Sequence, residues 1–297
     1  MRVVDLFSGC GGMSLGLEQA GFNVVGAFDN WDPAIAIYRE NFRHPIQKFD
    51  LSKQDAENAV RKYNPDMIVG GPPCQDYSIA GKRTLGKRAN LTIRFAQIVA
   101  SVRPTWVIFE NVYNIERFST LPKMKKILSD AGYGLSSMVL DASRCGAPQK
   151  RQRFILVGKI GEEDGFLDST LTENLSPKQM TVRDYLGESL GTQFYYMHPR
   201  SYNRRAVFSI DEPASTIRGI NRPIPDNYKK HPADKTDIAN GVRALTTRER
   251  SLLQTFPASF SFPGAKTDVE LAIGNAVPPA LSRYVAKCIE QWCSRNK

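Results

Sequence analysis

The first 160 residues alternate short apolar runs with helical stretches, and that alternation limits the fold more than any other feature. Apolar runs fall at Val3–Phe7, Val24–Phe28, Met67–Gly70, Trp106–Glu110, Met138–Asp141 and Phe154–Gly158. Helical patterning lies between them, at Met13–Ala20 and near 33–42, 54–63, 92–102 and 121–131. Strands separated by helices cannot pair as hairpins, so they pair in parallel, and the helices cover both faces of the sheet. The last two runs have no helical stretch between them, which predicts an antiparallel pair at that end.

Beyond residue 160 the pattern changes. Segment 161–180 is polar and weakly periodic, and reads as a linker. Segment 181–250 is rich in Arg, Tyr, Asn and Pro, with no clear helix until about 246. It carries twelve Lys and Arg against eight Asp and Glu. These features predict a small, irregular, mostly-β second domain at 181–262. The first domain then spans 1–180 and is completed by 263–297. In the closing helix Leu281, Val285, Cys288 and Trp292 share one apolar face, expected to pack back on the first domain.

The chain has 40 Lys and Arg against 30 Asp and Glu, a net charge of +10. Such an excess suits a polyanion, most simply nucleic acid, although a basic solvated surface gives the same number. No run is apolar enough to span a membrane, and the N-terminus lacks the apolar core of a signal peptide. A cytoplasmic protein is expected. Cys10, Cys74, Cys145, Cys288 and Cys293 form no Cys-x-x-Cys pair, so neither a disulfide framework nor a bound metal is expected.

Three places carry chemistry. In the first, a strand leads through Phe7-Ser8-Gly9-Cys10-Gly11-Gly12 into a helix, a pattern that lets backbone approach a ligand at a helix N-terminus. Asp29, twenty residues after Gly9, stands where a carboxylate holds ribose hydroxyls, and Trp31 offers a flat face to a base. The G-x-G-G spacing disfavours a nicotinamide enzyme. In the second, Gly70-Gly71-Pro72-Pro73-Cys74-Gln75 follows a strand. The prolines stiffen the backbone ahead of Cys74, and Lys82, Arg83, Lys87, Arg88 and Arg94 follow with no acid among residues 81–94. Cationic surroundings favour the thiolate, the nucleophilic form. In the third, Glu110 ends the next strand on the same sheet edge. Desolvation there raises a carboxyl pKa, as suits a proton donor. Arg151 and Arg153 alternate at the start of the following strand and share a face.

DLFSGCGG, GGPPCQDYS, FENV, QKRQR, RALTTRERSLLQTFP and GNAVPP occur in this order over residues 5–279. Together they resemble the DNA cytosine-C5 methyltransferase family, most closely its single-chain bacterial restriction-modification enzymes. The resemblance implies a Rossmann-like α/β fold that binds S-adenosylmethionine. Phe7, Gly9 and Gly12 would cradle the methionine part. Trp31 would contact adenine, and Asp50 and Leu51 would hold its edge. Pro73, Leu91, Asn275 and Val277 would complete the pocket. Cys74 would add to cytosine C6, Glu110 would bind N3, and Arg153, supported by Arg151, would hold Cys74 and the base O2. Gln75 to about Thr92 would close over a flipped base, with Ser78 and Lys82 on DNA. Residues 181–262 would recognise the target, Thr216-Ile217 matching a characteristic pair there. Gln75 and Thr216 are counted with the DNA-binding residues.

The expected partner is double-stranded DNA, bound by a monomer, with a cognate endonuclease encoded nearby. Two departures stand out. The family's ribose-binding Glu aligns with Asn30, leaving open whether Asn30 or Asp29 binds ribose. The usual Arg-Gly-x-Leu-Phe reads Arg88-Ala89-Asn90-Leu91-Thr92. A tRNA cytosine methyltransferase and a non-catalytic DNA-binding protein share the scaffold. The length of the recognition segment weighs against the first, and the full set of chemical residues against the second. Arg204, Arg205, Arg218 and Arg222 are candidate guanine readers, because a guanidinium pairs with O6 and N7.

Overall fold

The computed structural model describes residues 1–73, 90–201 and 203–296. A seven-stranded sheet is formed by β1 (Arg2–Leu6), β2 (Asn23–Asp29), β3 (Ile46–Lys48), β4 (Met67–Gly70), β5 (Trp106–Val112), β6 (Tyr133–Asp141) and β8 (Gln152–Ile160). Their order is β3-β2-β1-β4-β5-β8-β6. The first five pair in parallel, and β8 runs antiparallel to both β5 and β6. The α/β expectation and the antiparallel end both hold.

Side-chain alternation places two cores on one sheet. Val3, Met67, Val69, Ile108, Ile155 and Val157 face one core. Their neighbours Val4, Ile68, Val107, Phe109, Phe154 and Leu156 face the other. A strand buried on both faces must be apolar throughout, which is why β4 is Met-Ile-Val-Gly with every residue buried. The first core is roofed by α1 (Gly12–Gln19) and α10 (Pro279–Arg295). The second lies under α3 (Ala56–Arg61), α4 (Asn90–Val102) and α5 (Thr120–Asp130). Helix α2 (Asp32–Asn41) covers the β2–β3 edge, with Ile35 and Tyr38 against Ala27 and Ile46. The predicted face of α10 is buried at Leu281, Val285 and Cys288, with Trp292 edge-on to Trp106.

Three expectations need correction. Segment 161–180 is no linker: it contains α6 (Asp168–Glu173), and Leu167 and Leu171 are fully buried in the first core. Leu167 N–H donates to Ser136 Oγ (2.8 Å), and Tyr284 donates to the Leu171 carbonyl (2.6 Å). Leu167 and Leu171 are buried completely, and Phe166 and Leu175 pack partly buried against the same core. Segment 181–250 does open with a helix, α7 (Val182–Leu186), short enough to escape a periodicity reading. Thr181 and Asp184 cap it reciprocally. Strand β6 begins at Tyr133, five residues before the apolar run, because Ser136 is buried through its hydrogen bond rather than by hydrophobicity.

The remaining strands are short. They are β7 (Gln149–Lys150), β9 (Phe194–Tyr196), β10 (Val207–Ser209), β11 (Ala214–Ser215) and β12 (Arg243–Ala244). They form a three-stranded sheet, β10-β9-β12, and a β11-β7 pair. Helices α8 (Thr247–Leu253) and α9 (Lys266–Asn275) follow. Tyr195, Phe208, Ile217, Leu253, Phe256 and Ile273 share one further core. Among the described residues no helix is long and apolar enough to cross a membrane.

Leu171→Ala tests the corrected segment. Truncating a fully buried leucine costs about 2–5 kcal/mol, so the urea midpoint should fall substantially. A change within about 0.5 kcal/mol, as for an exposed linker residue, would contradict the packing.

Candidate active site

Beyond the carboxyl ends of β1, β2, β4 and β5 lies a cleft of about 750 Å3. Parallel strands all point their carboxyl ends at one edge, and ligands bind there. Of the residues expected around the cofactor, Phe7, Gly9, Asp29, Asn30, Trp31, Asp50, Leu51, Pro73, Leu91, Asn275 and Val277 all line this cleft. Gly12 does not. A Cβ on Gly12 would sit 2.1 Å from the Val277 carbonyl, so this glycine lets α1 press against the 276–277 segment. Phe49 and Asp5 also line the cleft and escaped the sequence reading. The alternation of β1, which turns Asp5 away from its apolar neighbours, is the only sequence signal for either.

The loop after β1 is held by an acid. Asp29 accepts from Gly9 N–H (2.7 Å) and Trp31 N–H (2.9 Å), one on each carboxylate oxygen. Phe7 adopts φ 58°, a left-handed backbone that costs energy for a non-glycine residue. A Cβ on Gly9 would meet nothing within 4 Å, so its backbone borders open space. Asn30 is exposed at the cleft, with its backbone also turned to Asp29. Asp50 accepts from the Ser52 hydroxyl (2.7 Å) and amide (3.0 Å), which hold its carboxyl below the usual range and ionised.

A buried chain of hydrogen bonds leaves the cleft floor. Asp5 accepts from Ser14 Oγ (2.6 Å), Ser14 meets Tyr38 Oη (2.7 Å), and Tyr38 meets His44 Nε2 (2.6 Å). His44 Nδ1 lies 3.1 Å from Glu18. Burial pushes the Asp5 carboxyl up to about 7, against the Ser14 hydrogen bond and with a smaller push from Asp29.

The acid and the cations meet where β5 and β8 pair. Val112 lies opposite Arg153 in the antiparallel register, and Arg153 Nε is 2.9 Å from Glu110 Oε1. Both side chains are largely buried. Burial raises the Glu110 carboxyl, opposed by Arg153 and Arg151. A Cβ on Gly71 would stand 2.9 Å from Glu110 Oε2, so the glycine leaves room for the carboxylate. Asn111 donates to the Pro72 carbonyl (3.2 Å), tying the Pro-Pro segment to β5. Arg151 is 1% exposed and donates to three carbonyls: Ile217 (2.9 Å), Gly274 (3.0 Å) and Ala276 (2.9 Å). Its guanidinium thus braces the cleft wall against the 214–217 segment.

Cys74, Gln75, Ser78 and Lys82 lie outside the described residues. Arg94, the last cation of the basic stretch after Cys74, is described. Helix α4 begins at Asn90, so Arg94 is helical and reaches Glu57 (2.7 Å) and the Leu51 carbonyl (3.2 Å). Burial keeps other thiols protonated, raising Cys10 to about 12 and Cys288 to about 11. Thr216 lines a second cleft beside Arg153, and its hydroxyl donates to the Lys150 carbonyl (2.7 Å).

The chain is similar to known proteins along nearly its whole length. The family model described as C-5 cytosine-specific DNA methylase matches residues 1–291. The chain is 55% identical to the Type II methyltransferase M.HindV of Haemophilus influenzae, over 97% of this chain and 96% of that one. It is 50% identical to the Type II methyltransferase M.HgiDI of Herpetosiphon aurantiacus, over 100% and 96%. In fold it is similar to the S. pombe Dnmt2 methyltransferase, with a TM-score of 0.72 and 19% identity over 98% of each chain.

The Asp5 carboxyl has a consequence for stability. It ionises near 3.8 in an unfolded chain and near 7 when folded. Its contribution is therefore intact below about pH 4 and is lost as pH rises through about 7. Unfolding free energies of wild type and Asp5→Asn should diverge over that window, wild type losing up to about 4 kcal/mol relative to the variant. Parallel pH profiles would contradict it.

Proposed function

Since the chain belongs to the C-5 cytosine-specific DNA methylase family, we propose that it methylates C5 of one cytosine within a specific duplex sequence, through a flipped-out base and a covalent Cys74–C6 bond. The observation that supports this most is the Glu110–Arg153 pair, set on the sheet edge next to the Pro72-Pro73 segment and opening on the same cleft as the loop after β1. The relatives at 50–55% identity are Type II methyltransferases. The same class is proposed here, with a cognate endonuclease as its genetic companion, action as a monomer and a cytoplasmic location.

Cytosine C5 is a weak nucleophile until a thiolate adds at C6. The Cys74 sulfur would form a bond to C6, and the ring π electrons would move toward N3 and C5. A carboxyl with a raised pKa can hold a proton at N3, and Glu110 meets that requirement. Arg153 would hold the base O2 while keeping Glu110 in place. S-adenosylmethionine supplies the electrophilic methyl group. Loss of the C5 proton then lets the sulfur depart with its electron pair, so one hard step becomes two easier ones. Base flipping costs about a few kcal/mol, offset by Lys and Arg contacts to phosphate from residues 75–89 and from the proposed recognition domain, 181–262.

The cleft fits the cofactor. Trp31 and Phe49 offer flat faces for adenine, Asp50 an ionised acceptor, and Gly9 open backbone for the methionine end. Pro73, Leu91, Asn275 and Val277 would close the remaining walls. For the ribose the geometry favours Asn30, because both Asp29 oxygens already hold backbone amides.

Two experiments follow. Label transfer from methyl-labelled S-adenosylmethionine to DNA should vanish in Cys74→Ser and fall roughly 10²- to 10⁴-fold in Glu110→Gln; full activity in Cys74→Ser would refute the mechanism. By calorimetry, Asn30→Ala should weaken cofactor binding about tenfold, the value of one hydrogen bond of about 1.4 kcal/mol, with the melting temperature unchanged. Asp29→Ala should lower the melting temperature as well. Unchanged affinity in Asn30→Ala would return the ribose to Asp29.

A further inference from the structure

The second cleft, about 640 Å3, is lined by Lys150, Arg153, His198, Arg200, Arg204 and Arg218 among others. It is crowded with positive charge. Burial, then Arg222 and Arg218, keep the His198 imidazole below its ordinary pKa, and Arg218 is itself lowered by burial and by Arg200 and Arg204. Arg153 is matched by Glu110 and Arg205 by Glu212, and Asp141 also lines the cleft, but the remaining cations outnumber the acids and favour a polyanion.

The arginines there are not equivalent. Arg205 is committed: it grips both Glu212 oxygens (3.0 and 2.7 Å) and stacks 4.4 Å over Phe208. Arg200 and Arg204 are exposed, and among the described residues their guanidiniums have no hydrogen-bond or ion-pair partner. Arg222 is exposed and lies off the cleft lining. Arg218 is half-buried and fixed at both ends. Its Nη2 donates to the His198 carbonyl, while its own carbonyl accepts from Arg250 Nη2. Arg250 in turn is buried against Glu270, which also accepts from Asn221 (2.9 Å) and Thr247 (2.7 Å). Nε, Nη1 and the second N–H of Nη2 of Arg218 are without a partner among the described residues, so one two-donor edge of its fork stays open.

A phosphate tolerates a mobile cation, because it presents charge in many directions. A base edge does not: reading O6 and N7 requires two adjacent N–H groups in fixed orientation. Holding the fork in advance also removes the entropy of ordering it on binding. We infer that Arg218 reads a guanine edge in the target, that Arg200 and Arg204 hold phosphates, and that Arg205 is structural. This assignment rests on the proposed activity toward duplex DNA and adds the residue that sets its specificity.

Bisulfite sequencing of genomic DNA from cells expressing wild type, Arg218→Ala, Arg218→Lys and the Arg200→Ala/Arg204→Ala double variant tests it, alongside salt titrations of DNA binding. Wild type should yield one motif containing a fixed guanine. Both Arg218 variants should methylate sites degenerate at that guanine, with discrimination there reduced roughly 5- to 150-fold. Lysine keeps the charge but not the fork, so Arg218→Lys should relax specificity while its melting temperature and salt dependence stay near wild type. The double variant should keep the motif, methylate less, and lose about 2 from the salt slope. An unchanged motif in folded Arg218→Lys, or a relaxed motif in the double variant, overturns the assignment. A wild type that methylates no cytosine overturns the parent reading, and this one with it.

Discussion

The contact between Arg153 and Glu110 is the constraint on which the rest of the site depends. It joins two antiparallel neighbours, β5 and β8, at the end of a sheet whose other central strands are parallel. Removing two charges from water is costly, and their mutual attraction offsets this only when the geometry is good. The reversed strand provides that geometry by setting Arg153 opposite Val112, within reach of Glu110. Had β8 run parallel, its start would lie at the far edge of the sheet. The one antiparallel strand pairing with β5 therefore has a chemical consequence as well as a topological one.

Around this pair the protein holds backbone with buried polar side chains. Asp29 fixes the loop after β1, Asn111 fixes the Pro-Pro segment, and Arg151 fixes the wall formed by Gly274 and Ala276. Gln149 and Gln254 extend the Arg151 junction, bonding to one another (2.6 Å), to Ile217 N–H (3.1 Å) and to the Ile273 carbonyl (2.5 Å). Each of these groups would be costly to bury alone. Bonded as they are, they tie the cleft wall at Gly274 and Ala276 to Ile217.

Much of this was legible in the sequence. Strand-helix alternation gave the sheet, and the positions of Phe7, Asp29, Pro73 and Glu110 at strand ends gave the edge they share. Segment 161–180 was illegible because its anchors, Leu167 and Leu171, are too few to make a period. Gly12 was assigned to the ligand because a glycine-rich loop does not say which glycine faces the cleft and which faces a packed chain. The partner of Arg94 was illegible because charge in a sequence carries no direction, and its place in α4 brings it to Glu57. Arg205 and Arg218 look alike in sequence; only Glu212 and the His198 carbonyl separate them.

The proposed function requires Cys74 to act as the nucleophile toward a cytosine ring. Duplex DNA carrying 5-fluorocytosine at the target position tests it directly, since fluorine at C5 blocks the proton loss that releases the sulfur. Intact-mass analysis followed by peptide mapping should find a cofactor-dependent covalent complex joined through Cys74. A complex joined through another cysteine, or none from a protein that methylates the unsubstituted DNA, would contradict the account.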